Sequence, residues 1–279
     1  MQIGMRLHDT ISVSLEERLR LIKEQGFQCA HVALSKVINE FNVDNDALTP
    51  GLAMHLKRLF EKHEIDFAVL GCYLNLANPD PEQLRRITDT YKAHIRFAAL
   101  LGAGVVGTET GAPNVNYQFE PACHGEEALR TFIRNLRPVV EYAEKLGVIV
   151  AIEPVRRHIV YNSGRARRVL DEIGSPNLQI IFDPVNMLDV DNYKQQAEVV
   201  QEAVELLGRD IAVIHMKDFR VEENSLISVA AGEGELDYQP VVKYIRRNKP
   251  FIHCTLEDTK PHNAVKAKEY IEDLYRKAE

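Results

Sequence analysis

The chain reads as a single-domain (β/α)8 TIM barrel over residues 1–279. Three observations say so. Apolar, strand-like runs alternate with amphipathic helical stretches from one end to the other. Eight such units can be counted, many of the helices ending at glycine-bearing stops such as "LGA", "LGV" and "IGSPN". The length, 279 residues, suits one barrel of this kind, for which about 250 is usual. An open doubly wound sheet is the competing topology.

Strand-like "QIGMRL" comes first. A helix follows from about Ser14, where "SLEE" resembles a capping box, to Gln25, with Gly26 as its stop. "CAHVAL" precedes a helix over Leu48 to His63, "DFAVLGC" one over Pro81 to Leu101, and "GVVGTET" one over Gly125 to Leu146. The second half has strands at about 148–153, 178–183, 211–217 and 251–257. Their helices fall near Gly164–Ile173, Tyr193–Leu207, Asp237–Asn248 and Asn263–Lys277. No linker or shift of composition divides the chain. The longest irregular stretch, "GAPNVNYQFEPACH" after the fourth strand, would lie over the active face of a barrel.

Composition narrows the function. With 34 basic against 41 acidic residues the net charge is −7, and no Lys/Arg cluster offers a track for phosphates, so nucleic acid is not the expected partner. The N-terminus is polar within its first ten positions and starts no membrane span or signal, so a soluble, cytoplasmic protein is expected, with a homo-oligomer left open. Cys29, Cys72, Cys123 and Cys254 are scattered and form no CxxC pair; they read as free thiols of a reducing compartment.

The four strands of the second half carry the chemistry. "GVIVAIEPVRR" places Glu153 and a proline where a doubly buried run stops. "NLQIIFDP" does the same with Asp183, "IAVIHMKD" passes into His215 and Lys217, and "FIHCTLED" ends in Glu257 and Asp258. In a barrel all strand C-termini meet at one rim, so these side chains become neighbours around half of the mouth. Period-two alternation puts Ile149, Ala151 and Glu153 on one inward face, and Val213, His215 and Lys217 on another. Three converging carboxylates repel and raise one another's pKa, and a divalent cation answers that repulsion. Oxygen ligands with one imidazole suit Mn²⁺, Mg²⁺ or Co²⁺ somewhat better than Zn²⁺, which is not excluded. An ion accepting five or six ligands would keep two positions for a substrate carbonyl and its adjacent hydroxyl. Glutamates on strands five and eight, at the two ends of the ligand arc, could then remove and return a proton. That is the logic of an aldose–ketose isomerase or a ketose 3-epimerase.

"IEP", "FDPVN", "HMKD", "GEG" and "LED", in that order and on those strands, resemble the sugar phosphate isomerase/epimerase group of xylose isomerase-like barrels, which is related to endonuclease IV. The resemblance covers essentially the whole chain. It implies that Glu153, Asp183, His215 and Glu257 bind one metal, with Glu153 and Glu257 doubling as acid and base on a small sugar or polyol.

Other rim residues are weaker candidates. His8 and Asp9 after the first strand, Tyr73 and Asn75 after the third, and Glu109 after the fourth could contact sugar hydroxyls, or could simply be solvated or cap the next element. Lys217, read as an inward lysine with a lowered pKa, could donate to a substrate oxygen or form a Schiff base; a salt bridge to Asp183 or Glu257 is the equal alternative. Arg220 and Arg156 could each hold an acidic or phosphorylated substrate or be plain surface groups. His253 reads as a hydrogen-bonded core histidine, and "GEGELDY" as a tight turn into a helix capped by Asp237 rather than a phosphate loop.

An inosose-dehydratase-like lyase is the alternative function, since those enzymes share the barrel and a signature like "HMKD". An endonuclease IV-like repair enzyme ranks lower. The rim after strand three, "GCYLNLA", has no His, nor does "GTET" after strand four. Asn186 stands where a histidine would follow the aspartate, and "SVAAGEG" lacks the Asp-x-His pair. A non-catalytic sugar-binding protein is the remaining reading.

Overall fold

In the computed structural model, which describes residues 1–278, eight parallel strands close into a barrel. They are β1 (Gln2–Arg6), β2 (Cys29–Val32), β3 (Asp66–Gly71), β4 (Val105–Glu109), β5 (Ile149–Glu153), β6 (Leu178–Phe182), β7 (Ile211–Met216) and, after an antiparallel hairpin of β8 (Asp218–Glu222) and β9 (Ser225–Val229), β10 (His253–Leu256). Closure pairs β1 with both β2 and β10. The open-sheet alternative is thereby replaced by a barrel.

Outside run α1 (Leu15–Glu24), a single turn α2 (Leu34–Val37), α3 (Pro50–His63), α4 (Pro81–Leu101), α5 (Glu126–Glu144), α6 (Ser163–Ile173), α7 (Gln196–Leu207), α8 (Gln239–Asn248) and α9 (Ala264–Lys277). Local chemistry sets their ends. Ser14 Oγ accepts the Glu17 N–H, Thr49 that of Leu52 and Asn162 that of Arg165. Asp80 accepts from both Glu82 and Gln83, and α3 and α4 each begin on a proline. Gly102 and Gly174 end α4 and α6 at φ +82° and +70°, where a Cβ would be strained.

The structure adjusts several expected boundaries. The helix expected over Leu48 to His63 starts at Pro50, because Thr49 is its cap, and the short α2 precedes it. The helix expected from Asp237 starts at Gln239, whose N–H Asp237 accepts at 2.9 Å. His253 opens β10 at the N-terminal end of the barrel; it is half-buried and 3.4 Å from Asp66, so it is not a core residue. The β8–β9 hairpin was not foreseen.

Inside the barrel a small apolar cluster, Cys29, Ala68, Val69, Ala151, Ile181 and Val213, fills the waist. Two inward positions must be glycine: a Cβ at Gly4 would meet the Cys29 carbonyl oxygen at 1.9 Å, and one at Gly107 would meet Val69 and Ile181 at 2.6 and 2.7 Å. Two residues further along each inward row, the side chains emerge at the C-terminal rim. By this count Arg6, His31, Glu109, Glu153, Asp183 and His215 share one mouth.

The loop expected to cover this face, 111–124, is tied down by Asn75. Its Nδ2 donates to the carbonyls of Ala112 and Asn114 at 2.9 and 2.8 Å, and its Oδ1 accepts from Ala77 and Ala112. Gly111, at φ +78°, leaves the space that Asn75 Oδ1 occupies. Asn75 is therefore a latch between two loops, with its amide fully used. Asn75→Ala should lower unfolding stability by about 2–6 kcal/mol, from four hydrogen bonds, three of them buried, worth about 0.5–1.5 kcal/mol each. Urea denaturation measures this, and a cost near zero would remove Asn75 from that role.

Candidate active site

At the mouth lies a cavity of about 700 Å³, whose floor includes Arg6, His31, Glu153, Lys217 and Glu257. Glu153, Asp183, His215, Lys217 and Glu257 are all buried. His215 Nδ1 is 3.2 Å from Glu153 Oε1 and 3.2 Å from Glu257 Oε1, so the two carboxylates flank one imidazole. Asn186 donates its amide to Glu153 Oε1 at 2.7 Å. Asp183 Oδ1 accepts the N–H groups of Val185 and Asn186, which fixes its rotamer at the strand end.

Two cations partly balance these carboxylates. Lys217 Nζ lies 2.8 Å from Asp183 Oδ2 and 3.3 Å from Glu257 Oε2. Arg6 reaches Glu257 at 3.2 Å, Asp9 at 2.9 Å and Asp258 at 2.8 Å. The lowered pKa expected for Lys217 is corrected here. Burial pulls it down, but Asp183 and Glu257 outweigh burial and hold the ammonium charged, well above its ordinary value. Burial likewise raises Glu257, yet His215, Lys217 and Arg6 together hold it well below the usual carboxylate range. His215 loses to burial and gains more from Glu257 and Glu153, ending near 9. Burial pushes Glu109 up, and Tyr117 donates its hydroxyl to Glu109 Oε2 at 3.1 Å.

Glu153, Asp183 and His215 each present a ligand atom, all within 4.8 Å of one another; His31, His215 and Glu257 form a second such set sharing the same imidazole. The donors are carboxylate oxygens and imidazole nitrogens, and Glu153 Oε1 and Glu257 Oε1 converge on His215 Nδ1. This donor set fits a divalent ion of oxygen-preferring character. The three buried carboxylates stand against Lys217 and an Arg6 shared with Asp9 and Asp258.

The other sequence candidates separate. His8 and Glu109 line the cavity; burial, with Arg6 and Lys36, drives His8 down to about 4. Asn75 is spent as a latch. Arg220 lies exposed on the hairpin with its Nε on the Glu233 carbonyl at 2.6 Å, away from the cavity lining. Arg156 pairs with Asp189 at 2.5 Å. Arg6, His31 and Asn186 were not read as site residues. For Arg6 and His31 the signal was the same alternation that marked Glu153: each follows by two an inward residue, Gly4 or Cys29.

Comparison with known proteins agrees with this architecture. A model of the "Xylose isomerase-like TIM barrel" family matches residues 19–276. A probable L-ribulose-5-phosphate 3-epimerase, UlaE, of Mycoplasma pneumoniae is 27% identical over 139 residues; these are 50% of this chain and 42% of that relative, so less than half of its length is spanned. Among solved structures, the IOLI protein with a bound zinc atom superposes with a TM-score of 0.77 at 17% identity, covering 100% of this chain and 99% of that one. The 3-keto-D-glucoside 4-epimerase YcjR of E. coli gives 0.75 at 16% identity over 98% and 99%. A D-tagatose 3-epimerase-like protein gives 0.74 at 20% identity over 99% and 97%. These structural likenesses establish the shared barrel, and with the match across residues 19–276 the chain belongs to the xylose isomerase-like TIM barrel family.

Proposed function

We propose that the protein is a divalent-metal-dependent sugar isomerase of the ketose 3-epimerase type, with Glu153 and Glu257 as the acid–base pair. One observation carries this reading: two buried carboxylates flank His215 at 3.2 Å each, at the floor of a cavity of about 700 Å³. That volume admits a five- or six-carbon sugar. The name of the Mycoplasma relative, a probable L-ribulose-5-phosphate 3-epimerase, supports a ketose or its phosphate as the substrate class. The four buried, unpaired cysteines suit a cytoplasmic setting.

Glu153, Asp183, His215 and Glu257 would hold the ion, for which Mn²⁺ suits the carboxylate-rich set best. Bound there, a dication supplies positive charge beside the substrate carbonyl and so acidifies the neighbouring C–H. The residues do the rest. One glutamate takes the proton from the carbon beside the carbonyl, and the other returns a proton on the opposite face; in the reverse reaction the roles exchange. Asn186 orients Glu153, while Arg6 and Lys217 keep Glu257 ionised and therefore able to accept. The Lys217 ammonium, buried among carboxylates, is placed to donate to an oxygen on which negative charge develops.

Two outcomes follow. Purified protein reloaded with Mn²⁺ should bind one ion per chain, and Asp183→Asn or His215→Ala should lose it while circular dichroism stays that of a folded barrel; an unloaded wild type, or three ions, would contradict the site. Glu153→Gln and Glu257→Gln should each lower kcat for the epimerised ketose by about 10²–10⁴-fold, the usual worth of a positioned acid or base. Turnover surviving either change at the wild-type level would exclude the pair.

A further inference from the structure

The cavity extends from the carboxylates toward the ends of β1, β2 and β3, and there it is lined by side chains of another kind. His31 is 2% exposed, and neither of its ring nitrogens has a hydrogen-bond partner in the protein. His8 Nδ1 and the Tyr73 hydroxyl are likewise buried and unpartnered. All three residues line the cavity. Their rings form one cluster: His31 stacks on Tyr73 with centroids 5.6 Å apart, and His8 meets His31 edge-on at 6.4 Å. Gly71 makes the cluster fit, since a Cβ there would lie 2.9 Å from His31 Nε2 and 3.0 Å from the Tyr73 ring.

Buried polar atoms are nearly always hydrogen-bonded, and leaving one unpaired is unfavourable. Four such atoms, on residues at three consecutive strand ends that line one cavity, would be satisfied together by a ligand carrying several hydrogen-bonding groups. Imidazole and phenol groups, offering donors and acceptors alike, match hydroxyls, which are also both. At the outer lip Lys36 and Asp44 contribute one charge of each sign, which gives no preference for an anion.

We infer that His8, His31 and Tyr73 form a subsite for the uncharged sugar hydroxyls beyond the hydroxy-carbonyl, beginning beside the reacting carbons, where His31 stacks on His215 at 5.2 Å. The inference rests on the proposed sugar chemistry and adds where the rest of the substrate lies. His31 is then assigned to the substrate and not to the ion, although it also belongs to a possible ligand set with His215 and Glu257, so loss of metal from His31→Phe would contradict the subsite.

The test is calorimetric titration of the Mn²⁺-loaded protein with L-ribulose and with dihydroxyacetone, which keeps the hydroxy-carbonyl but lacks the distal hydroxyls. Wild type should bind L-ribulose about tenfold or more tightly than dihydroxyacetone, by the worth of a few hydrogen bonds. Tyr73→Phe, which removes one oxygen, and His31→Phe, which keeps a stacking ring, should each weaken L-ribulose by about tenfold and leave dihydroxyacetone within about twofold. Metal content should be unchanged. If Tyr73→Phe binds L-ribulose like wild type, or loses both sugars equally, the subsite is wrong even should His31→Phe fail to fold. If wild type binds neither sugar, the proposed function falls as well.

Discussion

The repulsion among Glu153, Asp183 and Glu257 in one buried mouth is the constraint on which the rest of the site depends. No sequence would place three carboxylates at adjacent strand ends of a closed barrel without arranging their compensation. The structure shows how far the chain provides it. Lys217 spans Asp183 and Glu257, Arg6 crosses from β1 to Glu257, His215 stands between two carboxylates, and backbone N–H groups after β6 hold Asp183. Removing one partner from such a set costs more than the pair contributes, because it leaves a buried charge alone. The site is a network whose parts depend on one another, and that ties stability to chemistry at the same residues.

The barrel supplies the geometry at little cost. Parallel pairing of β1 with β10 and of β5 with β6 sets a common rim, and the narrow interior, with glycine at positions 4 and 107, sets how close the rows approach. The hydrophobic waist lies directly beneath the polar mouth. Each inward row therefore changes from apolar to polar within two residues, as from Ala151 to Glu153 or Val213 to His215. Rigid strand ends rather than loops thus carry the carboxylates, and Asn75 holds the 111–124 loop, whose Tyr117 reaches Glu109.

The barrel and its strand ends were legible in the sequence because two periodicities, about 3.6 for helices and 2 for strands, run unbroken through most of the chain. The row from Ile149 to Glu153 could be assigned to the inside from alternation alone. The hairpin was not legible: β8 and β9 are short and half exposed, and their turn at Glu223 and Asn224, both at positive φ, lacks the glycine that marks such turns. Arg6 and His31 share the alternation that marked Glu153, but they escaped notice because their strands do not end in a carboxylate followed by proline or a second acid. Only closure, which brings β1 beside β10 and sets His31 facing His215 across the mouth at 5.2 Å, gives them a role. Asn75 and Arg220 show the converse. Their positions near the rim were readable, but the direction of a loop side chain depends on tertiary partners, Ala112 and Asn114 in one case and the Glu233 carbonyl in the other.

The central claim is that Glu153 and Glu257 act on opposite faces of one carbon beside a carbonyl. It is tested most directly by turning over L-ribulose with Mn²⁺-loaded protein in D₂O and analysing the product by mass spectrometry and, after metal removal, by NMR. The account predicts a C3 epimer one mass unit heavier than the substrate, with deuterium at C3. A product lighter by one water, or an epimer formed without uptake of solvent deuterium at C3, would contradict it.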